Sequence, residues 1–422
     1  MPTELPYLTD FAGIGGVIKQ RPEDFFVQEI PLYEPSGEGE HVYCEIEKIG
    51  ITTFDAIHRL ADALKISSRD IGYAGMKDAH AITRQIFSLQ GTTPEAVMDL
   101  RSPGLSVKWA GRHGNKLRLG HLAGNRFAIK IRNVNPTDVV KLTPVIEEIK
   151  TRGMPNYFGE QRFGRRNNND LLGAALIRAD NAAVIKLLLG SANEELDSGA
   201  TLEARRAFDR RDNAEAMRLW PRTGGMERRV LARLMKTHRP GAAVHAIDEK
   251  LRRLWVSALQ SRVFNDVLAR RIKTIDQIET GDWAYKHENG ACFHVEDATV
   301  EQPRAKAFEI SATGPLVGYR MSTPTGAPGE IEQAVLTQFE LKPTDFKQSG
   351  KQRVKGARRP LRIKPQDVQL VGGVDDFGPH ITVAFTLPAG AFATVLLREL
   401  MKSDKQEPET ETAEVVDESD ED

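Results

Sequence analysis

Residues 72–89 read GYAGMKDAHAITRQIFSL, a small-residue turn carrying one charged pair, Lys77 and Asp78, followed by a strand-like run. A carboxylate at such a place has two uses. It caps the element that follows, or it is aimed into a cleft to do chemistry. The rest of the chain decides between them.

Upstream of the turn, HVYCEIE alternates Val42, Cys44 and Ile46 with Tyr43, Glu45 and Glu47. That is the period of a strand with one buried face. In FDAIHRLADAL the apolar positions Phe54, Ile57, Leu60, Ala61 and Leu64 fall at three- and four-residue steps, which predicts an amphipathic helix leading into the turn. Downstream, GNRFAIKIR places Phe127, Ile129 and Ile131 on one face and Arg126, Lys130 and Arg132 on the other. This predicts a strand with a basic face. From about 181 to 255 the pattern is mostly helical and highly charged, and HITVAFTL returns to alternation with Ile381, Val383, Phe385 and Leu387 on one side. Strands at both ends around a helical middle predict an α+β fold, one sheet domain completed by the C-terminal segment and interrupted by an inserted second domain.

At 422 residues the chain exceeds the usual single-domain size. Its two cysteines, Cys44 and Cys292, are far apart and in no metal-type spacing, so neither a disulfide framework nor a cysteine zinc site is expected. The first residues lack a signal-peptide layout, and no apolar run reaches membrane-spanning length. A soluble protein of the reducing cytoplasm is the expectation. The formal charge of −1 conceals an asymmetry: the last twenty residues carry ten acids and one lysine, and the remainder holds 57 basic against 49 acidic residues. The segment 403–422 is therefore expected to be a disordered acidic tail on a basic body suited to a polyanionic partner. Residues 341–364 hold nine lysines and arginines with a single acid, and are expected to be mobile until a partner binds.

DFAGIGG, residues 10–16, has the look of a glycine loop that binds S-adenosylmethionine, but such a loop needs a preceding strand and a following helix. Here VIKQRPEDFFV follows, broken by Pro22 and rich in strand formers, and no Pro-Cys pair is present to serve a cytosine C5 methyltransferase. The segment reads as a turn. The ten histidines offer no HExxH or comparable ligand pair, and no metal is expected.

GYAGMKDAHAITRQ resembles the signature of the TruD family of pseudouridine synthases. Other segments match that family in order: RPEDFFVQE with GEGEH, KLRLGHLAGNRF, PNYFGEQRFG, LQSRVFNDVL, SATGPLVG, GARRPL and FTLPAGAFATVLLREL. The resemblance implies a pseudouridine synthase catalytic domain, with a mixed, largely antiparallel sheet flanked by helices. It would comprise residues 1–180 and 366–402, interrupted by a helix-rich TruD-type insertion at 181–365. It also implies that Asp78, the aspartate of the G-x-K-D turn, is the catalytic residue and that Lys19, the basic residue just before P-E-D-F, pairs with it.

The implied reaction moves the sugar C1′ from N1 to C5 of the same uracil. No atom is gained and no redox occurs, so no cofactor or metal is expected. A carboxylate can attack C1′ or C6, or remove the C2′ proton. Each route needs it ionised, and a nearby cation favours that form. A base brought to such a carboxylate must leave its stack and be held by aromatic faces and hydrogen bonds. By resemblance, Phe158 and Phe392 are the stacking candidates, and Asn156 reads the uracil edge or orients Asp78. His80 is either a proton shuttle or a turn residue, and the latter is preferred.

The implied substrate is transfer RNA, commonly its uridine 13, while members of other lineages act on further sites and other RNAs. Arg126, Lys130, Arg132, Arg358, Arg359 and the run from Lys351 to Lys364 are expected at phosphates, where contacts give affinity and register rather than sequence choice. Oligomeric state is not legible in the sequence; a monomer is the working expectation. The rival reading is an RNA-binding protein or RNA chaperone that keeps the fold without the chemistry.

Overall fold

The computed structural model describes residues 5–348 and 353–403. The acidic tail from 404 onward and Lys351 lie outside the described residues. The chain divides into two compact units, one containing Tyr7–Asn156 and the segment from Arg362 onward, the other containing Tyr157–Leu361 with Leu5 and Pro6.

In the first unit, Phe25–Pro31 (β1), His41–Ile49 (β2), Ile71–Tyr73 (β3), Ile82–Gln90 (β4), Leu105–His113 (β5), Leu122–Arg132 (β6), Gln366–Asp375 (β7) and Gly378–Pro388 (β8) form one sheet. Its order is β7-β8-β6-β1-β4-β2-β5, with β3 also on β4. Only β1 and β4 run parallel, and every other pairing is antiparallel. The C-terminal strands thus join the N-terminal sheet through β8 and β6, where Ile381, Val383 and Phe385 lie opposite Ile131, Ile129 and Phe127. The Phe127 and Phe385 rings stack 5.2 Å apart.

β2 departs from the one-faced strand read from its alternation. Val42, Cys44 and Ile46 pack with Ile57 and Leu60 of the helix Thr53–Leu64, as the period predicts. Tyr43, however, packs on the opposite face with Ala74, Ile86 and Leu117. Glu45 is also buried, accepting from Gln28 Nε2 at 2.8 Å. A strand between β4 and β5 with cover on both faces buries both sets of side chains.

The DFAGIGG segment is a turn, and no helix follows it. Its amides serve a helix end: Ile14 and Gly15 donate to the carbonyls of Leu400 and Met401, the last residues of the helix Ala393–Met401. Gly13 is forced, since a Cβ there would lie 2.4 Å from the Met401 carbonyl oxygen. Glu399, buried in that helix, accepts from the Leu8 and Thr9 amides. The chain ends of this unit are thereby tied together, and Val17 then pairs with Arg132 of β6.

The second unit is built on the 23-residue helix Glu249–Arg271. One cluster gathers Trp255 with apolar residues of the helices between 181 and 244, and another gathers Val256, Leu259, Val263 and Val267 with Val335, Leu336 and Phe346. The helix Asn169–Ile177 lies against it so closely that a Cβ on Gly173 would meet the Trp255 carbonyl oxygen at 2.1 Å. Position 181 therefore falls inside this unit. A four-stranded sheet, ordered Ala357–Pro360, Ile310–Leu316, Trp283–Lys286 and Cys292–His294, completes it.

The basic segment expected to be mobile is ordered from Val354 onward. Val354 and Lys355 carbonyls accept from Tyr319 and Arg320, Ala357–Pro360 joins the small sheet, and Leu361 is fully buried. Its few apolar side chains suffice because the strand edge of Ile310–Leu316 is available to pair.

Asp24 and Arg132 form a buried ion pair bridging the turn before β1 to the end of β6, with Nε–Oδ2 at 2.7 Å. Replacing Asp24 by Ala leaves a buried guanidinium short of one partner. We expect a loss of about 3 kcal/mol in urea unfolding, with the unfolding slope unchanged.

Candidate active site

β4 shares one edge between two partners. Its first residues, Ile82 to Arg84, pair with β1, and Phe87 to Leu89 pair with β3. The turn 74–81 connects β3 to β4 beside this change of partner, and buried polar groups fix it. Gln85 donates to the Gly75 carbonyl at 2.6 Å. Thr53, at the start of the helix Thr53–Leu64, donates to Gln85 Oε1 and accepts from the Lys77 amide at 3.0 Å. Lys48, fully buried on β2, donates to the Ile51 carbonyl at 2.7 Å and reaches the Asp78 carbonyl at 3.5 Å.

The two charged residues of the turn point to different partners. Lys77 Nζ lies 2.7 Å from Glu29 Oε1 in a buried pair, and the other Glu29 oxygen accepts from the Ile86 amide. Lys77 is thus a strut between β1 and the turn. The Asp78 carboxylate receives a hydrogen bond from Lys19 Nζ at Oδ2 and from the His80 amide at Oδ1, the latter at 3.0 Å. The Lys19 and Asp78 side chains retain 22 and 31 % exposure. The pair is therefore shielded enough for its charges to matter and open enough to meet a ligand. Burial alone would raise the Asp78 pKa, but the Lys19 charge and hydrogen bond, aided by the His80 amide, hold the carboxyl below its ordinary value. The carboxylate is ionised at neutral pH and carries an oxygen lone pair for nucleophilic or base chemistry. Lys48 is pulled down to about 8, chiefly by burial and next by the Lys77 charge.

Asn156 is buried at the end of this unit. Phe392 is half-buried at the N-cap of the helix Ala393–Met401. Arg126 is exposed on β6 and Lys130 binds Asp375 at 2.7 Å. Arg132 corrects the reading of a basic phosphate-binding face: its guanidinium is buried between Asp24 and Asp375 because the sheet covers that edge of β6.

Phe158, Arg358 and Arg359 belong to the other unit. Phe158 is held through its backbone, donating to and accepting from Asn265 at 2.9 and 3.0 Å, and its ring meets Phe264 edge-on at 5.6 Å. The Arg359 guanidinium lies 4.2 Å from the centre of that ring. Arg358 likewise corrects its expected place at phosphate. It forms a buried pair with Glu332 at 2.6 Å and donates to the Thr313 carbonyl and Ser322 carbonyl.

Among the described residues, no group of three or more His, Cys, Asp or Glu could hold a metal ion, and no helix is long and apolar enough to cross a membrane. Both cysteines are free. The sequence reading missed Lys77–Glu29, Thr53, Gln85 and Lys48. A signal existed for Lys48, which continues the inward face of Val42, Cys44 and Ile46 and so places an ammonium where a core side chain is expected.

The sequence matches the family described as tRNA pseudouridine synthase D (TruD) over residues 4–400. The chain belongs to the TruD family. It is 46% identical over 406 residues to the tRNA pseudouridine synthase D of Geobacter metallireducens, covering 95% of this chain and 99% of that one. Against the protein of the same name from Thermus thermophilus it is 34% identical over 422 residues, with 98% of each chain covered. A crystal structure from Methanosarcina mazei, described as a tRNA pseudouridine synthase D (TruD), superposes with a TM-score of 0.83 at 29% identity, covering 94% of this chain and 96% of that one.

Removing the ammonium from this TruD-family site should leave Asp78 to the effect of burial. In Lys19→Met the carboxyl pKa rises, so the ionised form is the penalised one. The stability gap to wild type is then largest at neutral pH, above the ordinary carboxylate value. It narrows as pH falls through roughly 5 to 3 and the variant's carboxyl takes up its proton before the wild type's. Thermal melts of both proteins across that range measure the gap.

Proposed function

We propose that the protein isomerises uridine to pseudouridine in transfer RNA, at the uridine that the family resemblance places at position 13, with Asp78 as the catalytic carboxylate. The observation that carries this reading is the Lys19–Asp78 pair at the G-x-K-D turn, in a chain of the TruD family. Isomerisation breaks the bond from N1 to C1′, forms one from C5 to C1′, and releases the C5 proton. A single ionised carboxylate can promote this by attack at C1′ or C6, or by removing the C2′ proton, and the Lys19 ammonium keeps it ionised. The eight-stranded sheet unit is assigned to catalysis, and the helix-rich segment beginning near 181 to the insertion of the family. Asn156 is assigned to the uracil edge or to orienting Asp78, the Phe392 and Phe158 rings to capture of the flipped base, and Arg126, Lys130 and Arg359 to phosphates.

RNA carrying tritium at uridine C5 tests the reading directly. Wild type should release tritium without any added cofactor. Asp78→Asn, which keeps the shape and loses the charge, should abolish release while binding transfer RNA within a few fold. Release by Asp78→Asn close to wild type would overturn the assignment. RNA binding by wild type with no release would favour a binding protein on the same fold.

Phe392 is checked separately, because packing and stacking differ in what they do to stability. Phe392→Ala should remain folded and lose turnover corresponding to roughly 1 to 3 kcal/mol of base capture, with Phe392→Tyr retaining part of the activity. Melting far below wild type would return the ring to a packing role, for which about 3 to 5 kcal/mol of folding stability is the expected loss. Thermal melts and single-turnover assays on the same preparations decide it.

A further inference from the structure

We infer that His80 is a positioning residue for the reaction: its imidazole latches the Lys19 backbone so that the ammonium stays against Asp78. The inference rests on the assignment of Asp78 as the catalytic carboxylate.

Two bonds from one residue carry it. The His80 amide donates to Asp78 Oδ1 at 3.0 Å, and its ring Nε2 lies 2.9 Å from the Lys19 carbonyl oxygen. A carbonyl oxygen only accepts, so Nε2 must carry the proton, which sets the tautomer. With Nε2 engaged in this way it has no partner to which a proton could be passed. The shuttle reading of His80 therefore gives way to a structural one with a catalytic consequence.

Lys19 needs such a latch because its backbone sits at φ 58°. Residues other than glycine rarely occupy this left-handed region, and they stay there only when the surroundings hold them. Upstream, Val17 is pinned to Arg132 of β6; downstream, Arg21 leads into the short turn Pro22–Asp24. Between these points the His80 ring holds the Lys19 carbonyl. A lysine side chain has four rotatable bonds and would lose its aim if the backbone relaxed to an ordinary φ.

The charged groups around Asp78 are few enough for the consequence to be read. Lys19 and His80 face its carboxylate, Lys48 on β2 acts from the carbonyl side, and Lys77 is turned onto Glu29. Of these, Lys19 contributes most to keeping the carboxyl ionised. Loosening Lys19 should therefore raise the pH at which Asp78 titrates and slow the chemical step together.

The test compares His80→Ala, His80→Asn and His80→Gln. The Gln amide nitrogen can take the place of Nε2 and reach the Lys19 carbonyl. The Asn amide takes the place of Nδ1 and falls short, while keeping a polar side chain that protects folding. In His80→Ala and His80→Asn, single-turnover tritium release at saturating transfer RNA should fall about 10- to 100-fold. The ¹³C carboxyl signal of Asp78, assigned by its loss in Asp78→Asn, should titrate at higher pH in both. Transfer RNA affinity should stay within a few fold, and His80→Gln should restore both rate and titration. An unchanged Asp78 titration in folded His80→Asn, or a folded His80→Gln as slow as His80→Asn, would overturn the latch. Absence of tritium release by wild type would overturn the proposed function instead, and the titration series would still decide the latch.

Discussion

A carboxylate kept ionised while partly withdrawn from water is the constraint on which the rest of this structure depends. Desolvation works against Asp78, and the pair with Lys19 works for it. The balance favours the charged form only while the ammonium is held in place. Holding it requires two backbone segments far apart in sequence, the turn 74–81 and the residues before β1, to be rigid with respect to each other. The sheet supplies this, since β1 lies beside the first residues of β4.

Much of the buried polar chemistry in this unit serves that rigidity. Lys77 spans to Glu29 on β1, Gln85 and Thr53 bind the turn backbone, and Lys48 stands beneath the Asp78 carbonyl. Each such group is costly to bury alone and tolerable only when its partners are in place. The arrangement therefore specifies one conformation of the turn more than it adds to stability. The neighbouring Asp24–Arg132 pair does the same for the segment carrying Lys19, by joining the turn before β1 to β6. The Glu399 bonds to Leu8 and Thr9 anchor that segment further upstream.

What was legible in the sequence follows from the range of the interactions. Alternation located β2, β6 and β8, and three- and four-residue steps located the helix Thr53–Leu64, because these patterns are local consequences of backbone geometry. The Lys19–Asp78 pair, 59 residues apart, was accessible only through family resemblance. The second buried face of β2 was not legible, because Tyr43 and Glu45 are covered by elements whose approach no local period encodes. The same limit explains Arg132 and Arg358. In sequence they are strand cations like Arg126, and only the fold brings Asp24, Asp375 and Glu332 to them.

That distinction bears on how a chain with a basic body meets a polyanion. A cation paired with a buried carboxylate offers no net charge to a phosphate, and freeing it would leave the acid unpaired in low dielectric. Arg132 and Arg358 are of this kind, and their positive charges belong to the fold. Lys130 is intermediate, since its partner Asp375 is itself shared with Arg132 and half-exposed. Counting lysines and arginines therefore overstates the charge available to RNA. Exposed cations such as Arg126 give affinity without aligning the target. Alignment has to come from groups fixed by the fold, and the turn that holds Asp78 has its backbone tied down on both sides.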